Sequence, residues 1–167
     1  MAVDDGFRAM YEAEFANVCR TVTLMCGDPT MSEDATQEAF ARALSRWRRL
    51  RDVPWAAGWV TTTAINVARR DLRRRPMMST TPPQPIDPEA ELDLRAAVAS
   101  LPPRQQEAVA LFYLLDMSVM DSAAAMGCDE ATVKTHLARA RATLARELRD
   151  EAEVDAGEAE VRRPSDG

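Results

Sequence analysis

The sequence predicts an all-α fold: two small helical domains joined by a flexible linker. Three observations carry this. Apolar residues recur at three- and four-residue spacing through most of the 167 residues, the period of an amphipathic helix. Only 5% of residues are aromatic against 46% hydrophobic, so the cores must be built from Ala, Leu, Val and Met, which suits helix packing better than a sheet. The stretch from Met77 to Pro88, with Pro82, Pro83, Pro85 and Pro88, has little to bury and divides the helical pattern in two.

Phe7, Met10, Tyr11, Phe15, Val18, Val22 and Met25 mark the apolar face of a first helix, which Gly27 ends. Asp28 and Pro29 supply the cap and first position of a second, burying Ala35, Ala39, Phe40, Ala43, Leu44 and Trp47. Asp52-Val53-Pro54 breaks the pattern. A third helix runs from near Trp55 to Arg75 with Trp59, Ile65, Ala68 and Leu72 on its packed side. Beyond the linker, Leu92 to Leu101 and Arg104 to Leu115 read as helices, the prolines at 102 and 103 being tolerated in a first turn. Val119 to Met126 follows, then Gly127 at a left-handed turn and Asp129 as N-cap of a helix from Glu130 to about Arg149. The second domain thus contains a helix-turn-helix. The boundaries that result are 5–76, a Pro-rich linker at 77–90, 91–149, and an acidic tail at 150–167 expected to fray and become disordered.

The formal net charge is −6, yet the positive charge is concentrated. Between Phe40 and Pro76, Arg42, Arg46, Arg48, Arg49, Arg51, Arg69, Arg70, Arg73, Arg74 and Arg75 face only Asp52 and Asp71. Between Thr132 and Arg149, Lys134, Arg139, Arg141, Arg146 and Arg149 face only Glu147. Two basic islands in an acidic chain point to two places where phosphate is met.

The last helix is seated by Val133, Leu137, Ala140 and Leu144, which leaves Thr132, Lys134, Thr135, His136 and Arg139 facing outward. Polar side chains near an exposed helix N-terminus can reach base edges, while Arg139 and Arg141 can clamp phosphate or guanine. Upstream, Arg69, Arg70, Arg73 and Arg74 fall on one stripe behind Trp55 and Trp59. That combination suits single-stranded or melting DNA, although for Trp59 core packing is the favoured role. Asp34, Gln37 and Glu38 form an acidic helix face. Cys19, Cys26 and Cys128 make no disulfide framework and, with one histidine and no CxxC, no metal site; they read as small buried hydrophobes. No catalytic constellation, cofactor loop, secretory signal or 18-residue apolar run is found, so a soluble, cytoplasmic, non-enzymatic protein without metal or cofactor is expected.

Taken together, these residues resemble the sigma-70 family of bacterial RNA polymerase sigma factors, in its smallest, extracytoplasmic-function (ECF) branch. Gly27-Asp28-Pro29 followed by Ser32 to Phe40 looks like that family's polymerase-docking helix. Trp59 and Asn66 to Arg75 look like its promoter-melting and −10 region. Leu101-Pro102-Pro103-Arg104-Gln105-Gln106-Glu107 and Thr132-Val133-Lys134-Thr135-His136 look like its −35 reader. The resemblance implies that Asp34, Gln37 and Glu38 contact core RNA polymerase. It implies that Trp59, Asn66, Arg69, Arg70, Arg73 and Arg74 serve the −10 element of promoter DNA. Thr132, Lys134, Thr135, His136, Arg139 and Arg141 would then meet the −35 duplex. An inhibitory anti-sigma partner is expected as well. The alternative is a helix-turn-helix regulator acting without being a polymerase subunit.

Overall fold

A computed structural model describes residues 4–74 and 88–161 of the chain. These are helical, and no strand occurs among them. The order is α1 (Asp5–Cys26), α2 (Pro29–Ser45), a short α3 (Trp47–Leu50), α4 (Ala56–Arg74), α5 (Pro88–Ser100), α6 (Pro103–Val109), a wide π-turn (Ala110–Leu114), α7 (Val119–Met126) and α8 (Glu130–Val161). The expected linker at 77–90 lies outside the described residues except for 88–90, which open α5.

Local chemistry sets the boundaries. Asp4 Oδ1 accepts the Gly6 N–H at 2.9 Å, and Asp28 Oδ1 accepts the Met31 N–H at 3.0 Å with Pro29 in the first turn. Ser118 Oγ accepts the Asp121 N–H at 3.0 Å and donates to Asp121 Oδ2 at 2.8 Å, a reciprocal cap on α7. Gly127 closes α7 at φ +66°, a backbone state that L side chains resist, and the Cys128 N–H reaches back to Ala123 O at 3.0 Å. Asp129 Oδ1 then accepts the Thr132 N–H at 2.6 Å and starts α8.

Helices α1, α2 and α4 close around Val18, Val22, Ala39, Phe40, Val60, Ala64 and Ile65. Phe40 sits in a cluster of rings with Phe7, Tyr11 and Phe15. Helices α6 to α8 close around Ala108, Leu111, Met126, Val133 and Leu137. The two modules are packed against one another: Val98 and Ala110 belong to the core of the first, and Trp55 touches both cores. Ser122 is fully buried on α7 with no hydrogen-bond partner for its hydroxyl.

Three sequence expectations need correction. Leu44 and Leu72 are not packed but 43% and 40% exposed, because a helical period identifies a face without saying that another element covers it. The helix expected from Arg104 to Leu115 ends as a π-turn, with Leu115 N–H bonded to Ala110 O at 3.1 Å and Met117 N–H to Leu111 O at 3.0 Å. The acidic segment 150–161 continues α8 as helix. Its run of Glu and Ala is a strong helix former, which outweighs its lack of anything to bury.

Candidate nucleic-acid interface

Two basic surfaces stand on two helices. Along α4, Asn66, Arg73 and Arg74 are exposed and Arg70 is half-buried. Together with Arg69 and Pro103 they line a cavity of about 270 Å³. Trp59 lies two turns further back, packed against the first core, and the Arg46 guanidinium covers its ring at 5.4 Å from the centroid. The ring is therefore a core group, the role its spacing favoured.

The arginines of this stripe differ in what already holds them. Arg70 reaches Glu38 Oε2 at 3.4 Å and Asp71 Oδ1 at 3.2 Å, in pairs that remain wet. Arg69 turns inward. Its Nη1 donates to Glu107 Oε1 at 3.2 Å and its Nη2 to Pro103 O at 2.9 Å, with Gln106 Oε1 as a further acceptor. Glu107 is 3% exposed at its side chain and takes Arg104 Nη1 on its other oxygen at 2.8 Å. A carboxylate at that depth requires such partners, since an unpaired buried charge costs several kcal/mol. Burial pushes the Arg69 guanidinium below the ordinary arginine value while Glu107 pulls it back up; arginine remains charged at neutral pH.

On α8, Lys134, Thr135, Arg139 and Arg141 are exposed, whereas Thr132 and His136 are half-buried. Thr132, Thr135, His136 and Arg139 share one stripe by their spacing of three, four and seven. Lys134 and Arg141 share a neighbouring one, and Arg141 Nη1 donates to Tyr113 Oη at 3.0 Å. The Asp129 carboxyl that caps this helix is held below its ordinary value, first by the Thr132 backbone N–H and then by the Thr132 side chain.

The acidic face of α2 is partly committed. Asp34 and Gln37 are exposed, Gln37 Nε2 donating to Glu33 Oε1 at 3.4 Å. Glu38 is paired to both Arg42 and Arg70. The cysteines are free and half-buried. Burial pushes the Cys26 thiol up to about 11, against the pull of Arg69, and burial raises Cys19 and Cys128 too. Among the described residues no group of acidic, histidine and cysteine side chains could hold a metal, and no helix is long and apolar enough to cross a membrane.

Sequence reasoning passed over two sets of residues. Arg46, Arg48 and Arg49 line a second basic groove of about 490 Å³ with Leu44, Ser45 and Trp47; they had been counted as charge without being given a place. Gln106 and Glu107, the partners of Arg69, lie 37 and 38 positions away, and nothing local to α4 announces them.

The chain matches two family models in order. One described as Sigma-70 region 2 covers residues 10–76, and one described as Sigma-70, region 4 covers residues 91–144. Among curated proteins it is 33% identical to the ECF RNA polymerase sigma factor BldN of Streptomyces coelicolor, over 89% of this chain and 62% of that protein's length. It is 30% identical to the RNA polymerase sigma-E factor of the same organism, over 77% of this chain and 78% of the relative. It is also 30% identical to the ECF RNA polymerase sigma factor SigC of Mycobacterium tuberculosis, over 83% and 81%. Two solved structures share the fold. One is the sigma factor RpoE in complex with the anti-sigma factor NepR from Bartonella quintana (TM-score 0.70, 20% identity, 86% of this chain and 96% of that one). The other is CnrH in complex with the cytosolic domain of CnrY (TM-score 0.67, 21% identity, 86% and 88%).

Proposed function

The chain belongs to the sigma-70 family, in its ECF subfamily, and on that footing we propose that it is an alternative sigma factor: it joins core RNA polymerase, recognises −10 and −35 promoter elements and promotes DNA melting for transcription initiation. The observation that carries this is the order of the two matched regions, each bearing its own basic helix face in a chain of net charge −6. A regulator working apart from polymerase has no use for the first of these regions.

The α8 face of Thr132, Lys134, Thr135, His136, Arg139 and Arg141 is assigned to the −35 duplex, with the helix entering the major groove by its N-terminal turns. The α4 face of Trp59, Asn66, Arg69, Arg70, Arg73 and Arg74 is assigned to the −10 element. There the arginines neutralise the strand, and Asn66 beside the cavity offers both a donor and an acceptor to an unstacked base. Extruding a base costs a few kcal/mol, which capture and phosphate contacts offset. Asp34, Gln37 and Glu38 on α2 are assigned to core polymerase. The domain limits 5–76 and 91–149 follow from the same division. The protein makes and breaks no bond; it lends binding energy, acts in the cytoplasm where the chromosome is, and is held in reserve by an anti-sigma partner. One solved structure that shares its fold is a sigma factor in complex with an anti-sigma factor.

Run-off transcription with purified core polymerase on a fragmented genomic library tests the reading. Start sites sharing one pair of upstream elements are expected. No transcript from any template, together with failure of the chain to co-elute with core polymerase, overturns it.

A further inference from the structure

Two neighbouring side chains of α8 have the direction of their hydrogen bonding settled before any partner arrives. Thr135 is exposed, and its hydroxyl donates to the Ala131 carbonyl one turn back at 2.9 Å. The hydroxyl proton is spent on the helix itself, so toward solvent Oγ1 offers only lone pairs.

His136 is half-buried, with Nδ1 shut off from water and without a hydrogen-bond partner. Nε2 has no partner in the chain either, but it is not enclosed. Neutral imidazole carries one proton for its two nitrogens. An enclosed N–H without an acceptor is the rarer kind of orphan, and a bare lone pair is better tolerated. The proton accordingly sits on Nε2, and the open end of the ring is a donor.

An acceptor and a donor thus stand side by side in the early turns of the helix. Residues 132–139 cover about 10 Å of helix axis, or about three base pairs. Lys134 and Arg139 are exposed on the same stretch, with long side chains whose charge any phosphate satisfies. Arg141 is engaged by the Tyr113 hydroxyl.

We infer that Thr135 and His136 set the base preference of α8 by this opposite polarity. The inference rests on the assignment of the α8 face to the −35 duplex. In the major groove adenine and cytosine show an exocyclic amine, while guanine, adenine and thymine show acceptors. Thr135 matches adenine or cytosine; guanine O6 or thymine O4 would meet it acceptor to acceptor. His136 matches guanine best, since that edge carries two acceptors, and rejects cytosine, whose edge carries none. A free threonine hydroxyl takes either role, and its commitment to Ala131 removes that choice. A wrong base then leaves two unpaired polar groups in a desolvated contact, which costs more than a right one gains.

Holoenzyme reconstituted from the full chain and purified core polymerase tests this by selection from a promoter library randomised over the −35 element. Guanine and thymine should be depleted at one position, and cytosine at another within about three base pairs, each roughly fivefold. Thr135→Val keeps the shape, drops the hydroxyl and is expected to erase the first preference alone. His136→Gln, whose amide turns either end outward, is expected to erase the second alone. Thymine enriched at the first position and retained in Thr135→Val would reveal a methyl contact and overturn the acceptor role. Preferences kept in both variants, or affinity lost evenly across sequences, overturn the pair. The chain has one histidine, so a nitrogen-15 NMR spectrum at pH 8 reads its ring without ambiguity. A proton on Nδ1 overturns the donor role however well the variants fold. The double reversal Lys134→Glu, Arg139→Glu judges the face separately. Loss of selection there keeps the −35 assignment even if the polarity pair fails, and unchanged selection removes both.

Discussion

Glu38 of α2 and Arg70 of α4 meet at 3.4 Å, which ties the helix assigned to polymerase to the helix assigned to DNA. Glu38 also holds Arg42 one turn along its own helix. Both pairs stay wet and so contribute at most about 1 kcal/mol each to stability. Their value is in positioning. Reversal at the exposed Asp34 (Asp34→Arg) is expected to weaken core polymerase binding at least tenfold, on the order of 1.4 kcal/mol, with oligonucleotide binding unchanged. Glu38→Arg, which sets a third cation beside Arg42 and Arg70, is expected to disturb both. Pull-down against core enzyme and fluorescence anisotropy on the same two variants check the separation.

Arg139 is exposed on α8 and assigned to duplex DNA. If it meets a phosphate, Arg139→Ala lowers affinity across sequences and reduces the slope of log K against log salt by about 1. If it reads a guanine, the loss is about 1–3 kcal/mol at one base pair only. A salt titration on promoter duplexes varied one pair at a time distinguishes them, and no change in either would remove Arg139 from the interface.

Asp129 gives α8 a pH limit. Its carboxyl is held below the ordinary value of 3.8 by the Thr132 N–H, so its contribution is complete above that value and lost as pH falls through the lower, folded one. Far-UV circular dichroism between pH 5 and 2 should show the start of the helix loosening at the acid end. Asp129→Asn, which caps without titrating, should remove that part of the change.

Cys26 should be almost inert. With its thiol raised to about 11, its thiolate fraction at pH 8 is about 100-fold below that of a thiol at the ordinary 9.0. Iodoacetamide labelling followed by mass spectrometry should find Cys26 modified slowly at pH 8 and increasingly as pH approaches 11. Rapid labelling at neutral pH would mean that α1 opens locally.

The Ser122 hydroxyl is buried without a partner. Ser122→Ala removes that penalty and is expected to stabilise the fold by about 1–2 kcal/mol, seen as a raised midpoint in urea. A lowered midpoint would show that the hydroxyl is satisfied after all.

How much of this was legible in the sequence follows from the range of each interaction. Gly27, Asp28-Pro29, Gly127 and Asp129 act within four residues, so the ends of α1, α2, α7 and the start of α8 could be read directly. The two basic faces were legible for the same reason, being repeats along single helices. Leu44 and Leu72 were misplaced because coverage depends on a second element that periodicity does not name. Arg69 read as a free phosphate ligand because its carboxylate lies 38 residues away. Gly58 drew no comment, since a missing side chain shows its purpose only beside the group that occupies the space, here the end of Met117, whose Cε lies 2.6 Å from where a Cβ would stand.

That last contact constrains descent as well as shape. In any relative that keeps this packing, a side chain at the Gly58 position obliges the end of the Met117 side chain to move aside or to be replaced by a smaller one. The two columns should therefore co-vary across an alignment, although 58 residues of chain lie between them.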